Sequence, residues 1–441
     1  MEQEDKHEKL RELKGWFMWF AVVGVVIVGV MVLFVCTGRS ELERKIAELK
    51  AQGIPTSFAE LGARHKLPAG TPNAADVYAK AFAAYRPVVD PQKLDLLPVL
   101  GNGQRPEDNA PYPQEQMDAA KEFIEANQAM YDLLHQGGQI PDCAYPRDYS
   151  SSQTVYQSNN LDVLHIGIQS LYLATLYYAQ QGQAEQAVEY LKDEIHFSES
   201  LSEGDFLFDH MIQMAIIAMC AENAGDCLNS LSLSAEQLQD FQNGFQRLRS
   251  QMSFKNVLIG EICYQLDYYY NPYPPGVSIA SSAQTRLLRA SGLYERNILQ
   301  AILWIQDMMA VEELPVGEQL AGAHAVGQKL KELSSLYYLT KGLSGVVSIY
   351  EDELVNRAKV DALITGLAIE RYRLAEGKLP ETLDELVPGY LPEVFIDPTD
   401  GKPLKYEQNN PGYRVYTGDI EFSRTQFSDV YKIHGEFQMR R

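Results

Sequence analysis

Clusters of Lys and Arg, the minimum for gripping nucleic-acid phosphates, are missing from this sequence. Its 38 Lys and Arg are outnumbered by 59 Asp and Glu, giving a net charge of −21. With no basic stretch to offset that balance, a nucleic-acid partner is excluded. Acidity of this size keeps a chain soluble and names no chemistry. Cysteine is scarce too: Cys36, Cys143, Cys220, Cys227 and Cys263 show no metal-type C-x-x-C spacing. Cys220 and Cys227 would stand ~10 Å apart on a continuous helix, too far to bridge unless Gly225 breaks it. Buried free thiols are the plainer expectation. The motifs G-x-S-x-G, H-E-x-x-H and G-x-x-x-x-G-K-[ST] are all absent, so no cofactor is expected and no nucleophile–base pair is legible.

Long hydrophobic runs are absent with one exception. "WFMWFAVVGVVIVGVMVLFVC", residues 16–36, carries no charge. At ~1.5 Å per residue it reaches roughly 31 Å, the thickness of bilayer hydrocarbon. Trp16 and Trp19 suit the interfacial belt. The apolar part is too long for a cleaved signal, and no A-x-A-like site follows it. It reads as a signal anchor, so the membrane is one partner. Lys6, Lys9, Arg11 and Lys14 before it balance Arg39, Arg44, Lys45 and Lys50 after it, leaving the positive-inside rule tied. A short tail before a single anchor favours a cytoplasmic N-terminus with the bulk of the chain outside the inner membrane.

Beyond the anchor the expected fold is mainly α: helical hairpins, then a small α+β unit. The divisions expected are a cytoplasmic tail 1–15, a span 16–36, a helical domain 37–345 and a C-terminal domain 346–441. Ser40 with Glu43 predicts a capping box opening a new helix, with Glu41–Lys45 as an i,i+4 pair and Gly53 and Pro55 as its stop. One helix is predicted over 114–136, and another over 206–223. Ser234 with Gln237 caps the next. Tyr178, Gly182, Ala187 and Leu191 fall where a tetratricopeptide repeat places its aromatic, turn glycine and packing residues, for one repeat only.

The C-terminal stretch is the most patterned. "VDALITGLAI" is apolar on all sides and should be wrapped by other elements. Gly377 ends its helix, and Thr382 with Glu385 caps a short one. Asp397-Pro398 and Asp400-Gly401 are turn dipeptides, and "PLKYE" and "YRVYT" alternate as a hairpin. In "AIERYRLAEGKLPETLDELVPGYLPEVFIDPTDGKPLKY…GYRVYTG" this order of elements resembles the globular part of type II secretion major pseudopilins. That likeness covers about 70 residues and implies an antiparallel sheet followed by a calcium loop. Of such a loop only Asp419 and Asp429 stand here, so they are the metal candidates and no bound metal is expected. The whole layout resembles single-span bacterial envelope proteins of the planctomycete type, which implies a location and a shape.

Candidate chemistry is thin. Asp162/His165 and Asp193/His196 are i,i+3 pairs of the kind that hold two metals in a bundle, with Asp209, His210 and Glu222 as further ligands. Capping and helix-dipole roles account for the same residues. Glu261 stands in an apolar neighbourhood where burial would raise its pKa. The function expected is a membrane-anchored, non-enzymatic interaction or scaffold protein with an envelope protein as partner. The alternative is an envelope hydrolase with its site in a helical cleft near His165, His196, His210 and Glu261; convergence of any two of these would favour it.

Overall fold

The computed structural model describes residues 2–104, 106, 110–150, 161–201, 204–271, 288–409, 412–418, 420–423, 430–433 and 436–440. It is 69% helix with a small antiparallel sheet at the C-terminus, as the mainly α expectation requires. Part of the central loop, residues 272–287, and Asp419 and Asp429 lie outside the described residues, as does the Asp162 side chain.

The first helix, α1 (Glu2–Ala51), corrects the sequence reading. It holds the apolar run, with a mean hydropathy reaching 2.9 and none of that window buried, and is long and apolar enough to cross a membrane. It then continues past Ser40 without a break. No capping box forms: Glu43 accepts from Arg39 at 2.9 Å, Lys45 pairs with Glu48 at 2.9 Å, and Glu41 faces Arg296 at 3.5 Å. Side-chain packing against a distant helix, described below, overrides a local cap signal. Leu42, Ile46 and Leu49 do share one buried face, and Gly53 in the left-handed region ends the helix.

Short helices follow: α2 (Phe58–Ala63), α3 (Ala74–Ala84) and α4 (Pro91–Leu96). The helix predicted over 114–136 is two, α5 (Gln114–Ala126) and α6 (Gln128–Gly138), because Asn127 turns inward. Its buried amide accepts from the Arg86 N–H at 2.7 Å and donates to the Arg86 and Phe123 carbonyls at 3.1 and 3.0 Å. An amide that binds a neighbouring strand of backbone competes with helix continuation. Helices α7 (Leu161–Gln180) and α8 (Ala184–Glu199) form the predicted hairpin around Gly182. Helix α9 (Leu207–Ser230) runs straight through Gly225, so Cys220 and Cys227 are buried free thiols on one unbroken helix. Then come α10 (Ala235–Gln251), opened by the Ser234–Gln237 capping box, α11 (Lys255–Tyr270), α12 (Leu293–Val311), α13 (Val316–Glu332) and α14 (Ser344–Glu376).

Three large cores organise these helices. One joins α3, α5, α6 and α7. A second joins the end of α1 to α11, α12, α13 and the start of α14. The third joins α8, α9, α10 and the rest of α14 to the C-terminal sheet. Every residue from Val360 to Ile369 is buried, which is the wrapping expected of a helix apolar on all sides. The expected boundary near 346 therefore falls at the start of a helix shared by two cores.

The sheet has the order β1 (Lys405–Gln408), β2 (Gly412–Tyr416) and β5 (Glu436–Arg440), all antiparallel, with β3 (Ile420–Ser423) and β4 (Val430–Ile433) paired separately. Lys405 pairs with Tyr416, and Val415 with Phe437. Tyr413, Val415, Phe437 and Met439 turn one face onto α14 and α9, giving the period-two burial of a half-covered sheet. Ahead of the sheet, the Asp397 carboxylate accepts from the Thr399 N–H at 2.8 Å, the Thr399 hydroxyl at 2.6 Å and the Gly418 N–H at 2.7 Å. Asp400 accepts from the Lys402 N–H at 3.0 Å, beside Gly401 in the left-handed region. These aspartates make turns.

Candidate functional site

The residues singled out in the sequence do not gather. His165 is exposed on α7. His196 is half-buried in a separate open recess of about 500 Å³ with Asp142, Glu199 and Arg247. Burial holds it below its ordinary pKa, against the opposing pull of Glu199. His210 is buried, its Nε2 2.9 Å from Oε2 of the equally buried Glu353, whose other oxygen is 3.6 Å from Arg357. Glu261 is 5% exposed on α11, and burial pushes its pKa up to about 7. Among the described residues no hydrogen bond or ion pair joins any two of these four.

The proposed metal pairs are likewise committed elsewhere. Asp193 accepts from His135 Nδ1 at 2.9 Å, and burial pushes its pKa up to about 6 despite that partner. Asp209 is bound to Arg147, and Glu222 is exposed. Among the described residues no group of three or more His, Cys, Asp or Glu is placed to hold a metal ion.

What the fold does assemble is a cleft of about 280 Å³ that sequence reasoning missed. Its walls are α3, α7 and the N-terminal turns of α9, closed by the loop carrying Tyr145, Arg147 and Tyr149. Ala75, Ala79, Phe82, Val163, Leu164 and Ile212 make most of the lining apolar. Two polar pairs stand at its rim. His65 Nε2 lies 2.5 Å from Asp205 Oδ2, the same oxygen that accepts from the Tyr149 hydroxyl at 3.2 Å. The His65 and Tyr149 rings stack, 6.0 Å between centroids and 15° between planes. Arg147 grips Asp209 and lays its guanidinium over the Phe206 ring at 5.2 Å. Burial pulls the Arg147 pKa down, but the hydrogen bond and charge of Asp209 outweigh it, and the net shift is upward.

Two glycines allow this packing. A Cβ on Gly260 would sit 1.7 Å from the Asp205 carbonyl oxygen, so α11 can press on Asp205 only because that position has no side chain. A Cβ on Gly62 would meet the Tyr149 ring at 2.6 Å. Gln213 is buried in the cleft wall, and among the described residues its amide nitrogen has no hydrogen-bond partner, nor has the buried Oδ1 of Asp205 beside the cleft.

No family model, curated protein or solved structure matches this chain.

The site must therefore be read from its own chemistry. A buried carboxylate bonded to one histidine nitrogen orients the ring, as a general base requires. The hydroxyl closest in kind to a nucleophile at the cleft is Ser200, but it donates to the Phe197 carbonyl at 2.6 Å and lies 3.1 Å from the Tyr145 hydroxyl. The cleft offers apolar walls bordered by the fixed charges of Arg147 and Asp209, with Gln213 buried in one wall.

Proposed function

We propose that this chain is a membrane-anchored binding protein of the bacterial envelope, with its helical body outside the cytoplasm. The single observation that carries it is an apolar cleft with Gln213 buried in its wall, its amide nitrogen without a partner among the described residues. A buried donor without an acceptor is unfavourable by about 1–3 kcal/mol, a deficit that a bound ligand's acceptor relieves. The ligand class that fits is a small, largely apolar molecule carrying one hydrogen-bond acceptor. The single-repeat tetratricopeptide pattern at Tyr178–Leu191 and the pilin-like order of the tail are compatible with an interaction role, the sheet serving as a buttress for α14 and α9.

A hydrolase is the second reading, favoured by the His65–Asp205–Tyr149 arrangement at the rim. Purified full chain in detergent, and its His65→Gln variant, should both fail to turn over general ester, amide and phosphoester substrates. Turnover by the parent that is lost in His65→Gln would establish the enzyme. A cytoplasm-only reporter fused after Arg441 should be silent; an active one would reverse the topology.

A further inference from the structure

The contact between anchor and body starts inside the apolar run. The Gly292 backbone lies so close to Val35 that a Cβ there would come within 2.8 Å of the Val35 Cα. Arg296 on α12 sets its guanidinium over the Phe34 ring at 4.1 Å, donates to the Thr37 hydroxyl at 3.0 Å and faces Glu41 at 3.5 Å. No linker intervenes, because α1 is one helix from the run to Ala51. If the run fills the hydrocarbon, Val35 marks its edge. The headgroup layer beyond is ~5–8 Å thick, about four or five residues of helix. Whatever packs beside residues 36–40 is therefore at headgroup height.

The C-terminal end of α11 is at that height too. Tyr269 lies within electrostatic reach of Arg39 and Glu295. The Tyr294 hydroxyl donates to the Tyr268 carbonyl, and Arg289 donates to the Tyr269 carbonyl at 2.6 Å. Tyr270 packs on Tyr269, 5.0 Å between ring centroids, yet remains 59% exposed. Tyrosine and arginine are the side chains that a lipid interface accepts, an apolar body below and a polar tip in the headgroups.

We propose that the body is seated on the bilayer through a collar of Tyr269, Tyr270, Arg39 and Arg296 embedded in the phospholipid headgroup layer. The proposal rests on reading residues 16–36 as a membrane span. Glu41, Glu43 and Glu295 share the collar with the arginines, and Arg39 is bonded to Glu43. The charges are thus largely compensated, so the partner is the headgroup layer as such, with no requirement for anionic lipid.

The test uses the full chain in phosphatidylcholine nanodiscs, with Cys36→Ser and Cys143→Ser removing the accessible thiols. Val25→Cys, Tyr270→Cys and Glu381→Cys, made one at a time, each carry an environment-sensitive fluorophore, and nitroxide-bearing lipids quench it. Loss of fluorescence is expected at Val25 with a mid-chain nitroxide and at Tyr270 with a headgroup nitroxide, with none at Glu381. The Tyr270 loss should be unchanged by added phosphatidylglycerol or by high salt. If Val25 is quenched while Tyr270 behaves like Glu381, the body stands clear of the bilayer and the collar is wrong although the span survives. If Val25 is not quenched, the span reading itself fails and takes the collar with it.

Discussion

A carboxyl group without a partner in an apolar surround keeps its proton to higher pH than one in water, and Glu261 is such a group. Its folded pKa is raised to about 7, whereas in the unfolded chain it titrates near the ordinary ~4.3 of glutamate. The folded state therefore binds the extra proton. Its stability is greatest below the unfolded pKa and falls as pH rises from about 4.3 to about 7. The loss is at most roughly 4 kcal/mol. Glu261→Gln should match the parent at pH 4.5 and exceed it in urea unfolding at pH 8. A variant less stable at pH 8 would mean the charged form is held by a favourable interaction. The two turn aspartates differ in the same terms. Asp397→Ala strands three partly buried donors on Thr399 and Gly418 and should lower stability by about 2–4 kcal/mol, whereas Asp400→Ala loses one exposed bond and about 1 kcal/mol. Calcium or chelator should leave the melting temperature of the parent unchanged, and a calcium-dependent rise would make the turn a site.

Elements were legible wherever their signals were local. Gly182 and Gly377 end helices in the left-handed region, Ser234 caps α10, and Tyr413 and Val415 alternate with Arg414 on a half-buried strand, whereas in β1 Lys405 and Tyr406 are both only partly buried. Two elements were misread because distant contacts decide them. Asn127 divides a helix to satisfy the backbone at Arg86, and α1 ignores the cap at Ser40 because Arg296 holds it straight. The cleft was illegible for the same reason: His65 and Asp205 are 140 positions apart, and Arg147 and Asp209 are 62. Nothing in either neighbourhood marks them as a pair. The helix–loop contact that joins them is itself testable. Gly260→Ala would drive a methyl into the Asp205 backbone, so α11 and the 204–206 segment must separate. We expect a loss of about 1–3 kcal/mol from overpacking and a longer His65–Asp205 bond, visible as changed His65 ring chemical shifts by NMR. A variant with both stability and ring shifts intact would show that the segment gives way freely.

At the scale of the molecule, the apolar segment of α1 and the helical body share residues as well as a boundary. Deleting residues 1–37 leaves Leu42, Ile46 and Leu49 to fill the second core but removes the Phe34 and Thr37 contacts to Arg296. The shortened chain should be soluble without detergent and mostly helical by circular dichroism, with a melting temperature a few degrees below the parent. A disordered spectrum would make the apolar segment part of the fold. Helix α14 then has a mechanical meaning. It enters the second core with Val346, Tyr350 and Leu354 and leaves through the third with Leu363, Leu367 and Tyr372, a rod of roughly 50 Å. A tug on the apolar end of α1 reaches the second core through α12, passes from that core into one end of the rod and emerges under the C-terminal sheet. The cores at either end cannot come apart without shearing the rod from one of them, so under load the protein should yield in one step, as a beam does and a string of beads does not.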